Sequence, residues 1–305
     1  MNGTFRREEL ESDDVDTMPR LPESVRSVAS RAGRCFGGAP AQSQAPGAES
    51  GRQTFLKSAH LEAFVFDMMW PGVPKEAVAS VSTEQMRRLD RLAVEARLFL
   101  LQMMENAAVR LSEVAWSIFS LSPAHRVVVL AGGGSNGGGA LAAARHLSNR
   151  GADVAVVLDR EPSALTDAAR QQLEVLEWTS ASVSDDPPSA PHAIIDGLIG
   201  YGLRGSPKGK TAALIEWANR NEVPICALDV PSGLNATTGV SGRPCIRATV
   251  TLTLALPKTG LLTPGAGAVV GSLLLADISI PAGVYESAGL IRPGAFGTSP
   301  IVAIE

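Results

Sequence analysis

Hydrophobic positions in this chain change their spacing near residue 120. Before it they recur at helical intervals. Ser82 and Gln85 have the spacing of a capping box, and Met86, Leu89, Leu92, Ala93 and Ala96 follow on one helical face. A second helix carries Leu100, Met103, Met104, Ala107, Leu111 and Val114 on one side, and its methionines read as core packing. After residue 120 the apolar positions form short, nearly unbroken runs, as in strands covered on both faces. Strands are predicted over 126–131, 153–158, 193–195 and 224–228, with helices over 140–147, 163–178 and 211–219 between them. A polar loop spans 180–191. Two further strands, 248–256 and 272–280, close the sheet with no obvious helix between them. Such alternation predicts a three-layer α/β fold, with a mostly parallel central sheet, helices on both faces and right-handed crossovers.

The 305 residues divide unevenly. Residues 1–53 are Ser, Arg, Pro, Gly and Glu with scattered apolar side chains, too few to offset ordering entropy, so this extension is expected to be disordered. In the segment 54–79, residues 55–70 are apolar enough for a short helix, and Pro71 and Pro74 then break the chain. The folded domain is expected over 80–285, and 286–305 reads as a C-terminal tail.

Net charge is −4, with 19% charged and 45% hydrophobic residues, which gives the whole chain no pull toward nucleic acid or an anionic membrane. No apolar run approaches the roughly 18 residues of a membrane span. Cys35, Cys226 and Cys245 form neither a metal spacing nor a disulfide framework, as suits a reducing compartment. The charged start from Arg6 to Asp16 is no secretory signal, and a cytoplasmic location is expected. Translation from Met18 would instead expose an Arg/Ser/Ala-rich segment of the organelle-targeting type.

Three loops carry the candidate chemistry, each following a predicted strand. Gly132, Gly134 and Gly137 match G-x-G-x-x-G between a strand and a helix, where backbone N–H groups attract anions. Asp159 ends the next strand, where a ribose-binding acid would stand, so a nicotinamide-dependent dehydrogenase is one reading. A P-loop is excluded because no Lys-Ser/Thr follows the glycines. Asn136 offers an amide oxygen to a cation or polar ligand, or is a loop residue tolerating positive φ. Asp196 ends the strand before Gly197-Leu-Ile-Gly200-Tyr-Gly202 and faces the expected crevice. Arg204, Lys208 and Lys210 meet phosphates or are solvated loop charges. Asp229 ends another strand, and Pro231 and Gly233 turn the chain to present Ser232. None of the histidines lies in these loops, which leaves a Ser-His-Asp triad without support. Asn, Asp and Ser oxygens at three strand ends suit a hard cation.

These motifs resemble those of the YjeF N-terminal domain family, the NAD(P)H-hydrate epimerases. The family's Gly-Asn-Asn-Gly-Gly-Asp-Gly is matched by Gly134-Ser-Asn-Gly-Gly-Gly139-Ala140, its Asp-Ala-Leu-Phe-Gly-Thr-Gly-Leu by 196–203, and its Asp-Ile-Pro-Ser-Gly-Leu-Asp by 229–235. Leu101–Ala107 and Ala255–Leu261 look like two flanking family segments. The resemblance covers about residues 80–285. It implies a Rossmann-like fold, a dimer, and interconversion of the R and S epimers of hydrated NADH and NADPH. It also implies a potassium ion held by Asn136, Asp196 and Ser232. Substrate contacts would come from Ser135, Asn136, Gly137, Gly138 and Gly139, from Gly200, Tyr201, Gly202, Leu203, Arg204, Gly205 and Ser206, and from Asp229. Asp196 is the candidate catalytic acid or base. A complete repair cycle would need a separate NAD(P)HX dehydratase. Two departures stand out: Gly139 replaces the family's Asp, and Tyr201 replaces a small Thr. The alternative is a domain that keeps the pocket as a nucleotide-binding or dimerising scaffold and has lost turnover.

Overall fold

The computed structural model describes residues 69–305 apart from Ala124. The expectations for 1–53 and for nearly all of the 55–70 helix lie outside the described residues. Among those described, nine strands form one sheet: β1 (Gly72–Val73), β2 (Arg126–Ala131), β3 (Asp153–Leu158), β4 (Ser182–Ser184), β5 (Ala193–Gly197), β6 (Ile225–Leu228), β7 (Val250–Leu254), β8 (Ser272–Ala276) and β9 (Ile301–Ile304). The helices are α1 (Thr83–Glu95), α2 (Leu100–Ile118), α3 (Ser135–Asn149), α4 (Asp167–Leu176), α5 (Gly209–Arg220), α6 (Gly267–Val270) and α7 (Ala282–Ser287).

The strand order is β1-β9-β8-β7-β6-β5-β2-β3-β4, parallel throughout except where β9 runs against β8. From β2 the chain steps outward to β3 and β4, then returns to the other side of β2 at β5 and continues to β8. The order therefore reverses between β2 and β5, and the loops leaving these two strands diverge. A crevice opens there, at the carboxyl end of a parallel sheet.

Both faces of the sheet are covered. Val127, Val129, Ile195 and Cys226 pack with Leu111, Leu141 and Leu173 from α2, α3 and α4. Val128, Leu130 and Ile194 face the other way, onto Leu214, Ile215 and Ala218 of α5. Helix α1, closed by its expected capping box, packs Met86, Leu89 and Ala93 against Met103, Tyr285 and Ala288.

Several bounds differ from expectation, each for a physical reason. Helix α3 begins at Ser135, so Gly137, Gly138 and Gly139 lie inside it. Tertiary closeness overrides their poor helix propensity, because a Cβ at Gly137 would stand 1.7 Å from the Gly132 carbonyl oxygen. Helix α4 starts at Asp167 after a 3-10 turn at Pro162–Ala164. The polar loop 180–191 contains the edge strand β4, too exposed to show an apolar signal. Residues 286–305 are not a tail. Ile301–Ile304 form β9, which covers the edge of β8 and pairs in turn with Gly72–Val73 of the expected linker. A two-residue run gives no pattern, and Ile301–Ile304, though apolar, falls outside the strand–helix alternation that marked the other strands.

Candidate functional site

A cavity of about 350 Å³ lies at the reversal between β2 and β5, near the lower end of the roughly 300–1,000 Å³ typical of small-molecule sites. Met86, Leu100, Met103, Met104, Leu254 and Ile278 supply an apolar wall. The methionines are buried core side chains, as expected, and also line the cavity. Its polar lining consists of Asp90, Ser135, Asn136, Tyr201, Asp229 and Lys258, together with backbone at Gly134, Gly139, Gly200 and Gly202.

Asp229 is brought there by the turn that ends β6. Its φ of +68° lies in the left-handed region, which Asp tolerates better than most residues. Its carboxylate forms a buried ion pair with Lys258. Lys258 also donates to the Leu254 carbonyl at 2.9 Å and is only 1% exposed. The backbone N–H of Tyr201 donates to Asp229 Oδ2 at 3.3 Å. From the same residue, the hydroxyl donates to Asp90 on α1. Burial raises the Asp90 pKa, a shift opposed by the Tyr201 hydrogen bond and the Lys258 charge. The Tyr201 phenol is pushed well up by burial and by Asp90. Lys258 Nζ and the Arg87 guanidinium each lie 5.9 Å from the centre of the Tyr201 ring.

Asp196 is fully buried in β5, in register with Leu130 and Ala227. Its oxygens accept from Ser232 Oγ at 2.6 Å, Ser232 N at 2.8 Å and Leu198 N at 3.2 Å. These donors are neutral. Burial pushes its carboxyl up to about 6, against the pull of the hydrogen bonds. Ser232 Oγ in turn accepts from Ile199 N at 2.8 Å and lies 3.2 Å from the Ile199 carbonyl oxygen. Asp196 and Ser232 thus sit behind the cavity wall and stitch the β5 and β6 loops together.

The remaining expected residues divide into two groups. Ser135, Asn136, Gly139, Gly200, Tyr201, Gly202 and Asp229 line the cavity. Gly137 and Gly138 are buried in α3 behind it, and Leu203, Arg204, Gly205 and Ser206 continue outward along a largely exposed loop. Asp159, which a dehydrogenase would offer to ribose, is taken up by Arg160 at 2.7 and 3.0 Å and by the Thr211 hydroxyl at 2.7 Å. Sequence reasoning gave no role to Asp90 or Lys258. Asp90 lies one helical turn from Met86 on the same face, and Lys258 is the single charge in the apolar run 254–262; both were visible signals.

The donor set behind the wall fits a hard monovalent cation. Asp196 Oδ1, Ser232 Oγ and the Ile199 carbonyl are neighbouring oxygens around a buried carboxylate whose bonded partners are uncharged. Asn136 adds an amide whose Nδ2 is buried and unpartnered. Its Oδ1 is 3.0 Å from the position a Cβ on Gly200 would take.

Comparison with known proteins agrees with this architecture. Residues 100–260 match the family described as YjeF-related protein N-terminus. A protein of Dehalogenimonas lykanthroporepellens named NAD(P)H-hydrate epimerase is 43% identical over 223 residues, covering 70% of this chain and 88% of that one. The bifunctional NAD(P)H-hydrate repair enzyme Nnr of Moorella thermoacetica is 36% identical over 66% of this chain, which spans 40% of that protein's length. In fold, the crystal structure of yeast YNL200c superposes with a TM-score of 0.63 at 23% identity, over 74% of this chain and all of that one. With the family model spanning more than half of its length and a relative at this identity, the chain belongs to the YjeF-related N-terminal family.

Proposed function

We propose that this chain is an NAD(P)H-hydrate epimerase, interconverting the R and S forms of hydrated NADH and NADPH. The observation that carries the reading is the lining of the cavity: residues from all three family loops meet there beside a buried Asp229–Lys258 pair. Relatives named for this activity, matched over most of one's length, support it.

The hydrated carbon bears both the ring nitrogen and a hydroxyl. That carbon can invert by opening of the ring, or by departure of the hydroxyl and return of water on the other face. The second route balances without opening the ring. As the C–O bond breaks, its electron pair goes with the oxygen, which takes a proton and departs as water. The nitrogen lone pair closes a C=N bond. Lys258 and Asp229 face the cavity and are placed to give and take that proton. Asp196, with its oxygens occupied behind the wall, is better suited to holding the loops and a cation than to proton transfer. Asn136, Asp196 and Ser232 would hold potassium, which would supply fixed positive charge beneath the loop that contacts substrate. A homodimer, a cytoplasmic setting and a separate dehydratase complete the proposal. The setting is supported by Cys226 and Cys245, both free thiols. Among the described residues no helix is long and apolar enough to cross a membrane.

A second reading, a pocket retained without turnover, rests on Gly139, which lines the cavity where relatives are expected to carry Asp. The deciding experiment follows epimerisation of purified S- and R-NADHX by the wild-type chain and by Gly139→Asp, with and without potassium. Potassium-stimulated turnover by wild type is expected. Turnover in Gly139→Asp alone would establish the second reading, and no turnover in either folded protein would refute the epimerase.

A further inference from the structure

One cavity carboxylate takes no part in the proton transfer. Asp229 is paired with Lys258, whereas Asp90 is held by the neutral hydroxyl of Tyr201. In formal charge, with both carboxyls ionised, the cavity-lining Asp90, Asp229 and Lys258 sum to one negative charge, and the Arg87 guanidinium lies outside the lining, 5.9 Å from the centre of the Tyr201 ring. Tyr201 fixes where that negative charge stands. Its backbone N–H is bonded to Asp229 and its hydroxyl to Asp90, so a single residue spans both carboxylates. The lining also includes an apolar wall with the thioethers of Met86, Met103 and Met104.

We infer that Asp90 is the counter-charge for a ring that becomes cationic in this cavity, and that the site prefers a flat six-membered nitrogen ring bearing positive charge over its neutral analogue. The inference rests on the epimerase reading, taken through loss of the hydroxyl, for the event that creates the charge. When the hydroxyl leaves as water and the C=N bond closes, the ring carries one positive charge; addition of water to the other face and return of the proton restore the neutral ring. A preplaced carboxylate beside an apolar wall stabilises that charge as it develops and needs no reorganisation to do so. Asp229 exchanges the reaction's proton with Lys258, whereas Asp90 takes no part in that exchange and is the carboxylate left to face the ring. Tyr201 is then a positioning residue. It acts through Asp90 by holding the carboxylate at the edge of the cavity.

Two small probes test the charge preference without turnover. 1-Methylnicotinamide is permanently cationic, and nicotinamide is uncharged at pH 8. Titrated into the full chain and followed by calorimetry, the cation is expected to bind about tenfold more tightly than the neutral ring, which corresponds to about 1.4 kcal/mol. Asp90→Asn, which keeps the shape and removes the charge, is expected to erase the difference. Tyr201→Phe is expected to reduce it while leaving the ring wall in place. Failure of wild type to favour the cation, including no binding of either probe, overturns the inference whether or not the variants fold. A preference that survives in folded Asp90→Asn also overturns it. Assays on NADHX run in parallel keep the two claims apart. Cation preference without turnover removes the epimerase reading alone, and turnover without cation preference removes this inference alone.

Discussion

Asp229 and Lys258, 29 residues apart in sequence, meet in an ion pair that is almost wholly buried at the cavity wall. The pair binds the turn after β6 to the turn after β7. Lys258→Met would leave Asp229 buried without its cation, a change that typically costs about 3–5 kcal/mol. For a domain of this size the melting temperature should fall by on the order of 10 °C. Adding Asp229→Asn should recover much of that loss, because the orphaned charge is gone, while epimerase turnover stays abolished. Thermal melts of the two variants beside wild type check this. Equal melting of Lys258→Met and wild type would show that the pair adds nothing to the fold.

The glycines of α3 should respond very differently to the same substitution. At Gly137 a Cβ would be 1.7 Å from the backbone oxygen of Gly132, which cannot move without opening the loop. Gly137→Ala is therefore expected to cost about 3 kcal/mol or more. At Gly139 the single close neighbour is Leu228 Cδ2 at 3.1 Å, a side-chain methyl that can give way. Ala is favoured over Gly in a helix interior by about 1 kcal/mol, so Gly139→Ala should lie within about 1 kcal/mol of wild type. Urea titrations of the two variants test the contrast, and similar losses in both would refute it.

Ser232 serves the β5 loop more than the cavity. Its hydroxyl donates to Asp196 and accepts the Ile199 N–H at 2.8 Å. Ser232→Ala leaves one buried donor unpaired and one carboxylate oxygen short of a partner, at an expected cost of about 1–3 kcal/mol. Ser206 makes a single 3.5 Å contact, with Arg243 N, on an exposed loop. Ser206→Ala should stay within about 0.5 kcal/mol of wild type. Chemical denaturation of the two variants separates these roles; a neutral Ser232→Ala would mean that water replaces the hydroxyl.

The fold was legible wherever an element was long enough to show a period. The core strands announced themselves as apolar runs, and α1 by Ser82, Gln85 and the spacing from Met86 to Ala93. Strand β1 has only two residues and β4 is exposed along its length, so neither shows an apolar run; β9 is as apolar as β6 but lies outside the strand–helix alternation that marked the core strands. At the site, the loops that line the cavity were visible from their glycines and carboxylates. Which carboxylate faces the cavity was not, because that depends on the pleat. Asp196 lies within β5 and turns behind the wall, while Asp229 stands one residue past β6 at positive φ and turns inward. Asp90 reaches the cavity because α1 packs there; its place on the apolar face beside Met86 was visible in the sequence, but what that face meets is a tertiary fact.

Asp196 sets a pH dependence whose sign can be worked out. Its carboxyl lies at about 6 in the folded chain, above the ordinary 3.8, because burial disfavours the charge. The folded state therefore holds its proton more tightly than the unfolded state does. Well below the unfolded value of 3.8 both states are protonated and the contribution to stability is fully present. As pH rises toward about 6 the unfolded chain ionises first, and the folded state loses about 3 kcal/mol, as linkage requires. Asp196→Asn has no such proton to lose. In potassium-free buffer the stability of wild type relative to Asp196→Asn is thus expected to decline between pH 4 and pH 7. A cation bound to the carboxylate would favour the ionised form, so potassium should restore wild-type stability above pH 6 and have little effect near pH 4. Melting temperatures across that range, with potassium chloride and with none, make the test. A wild-type-to-variant difference independent of pH would show that Asp196 is not held protonated by burial, and a potassium effect equal at both ends would separate the cation from this carboxylate.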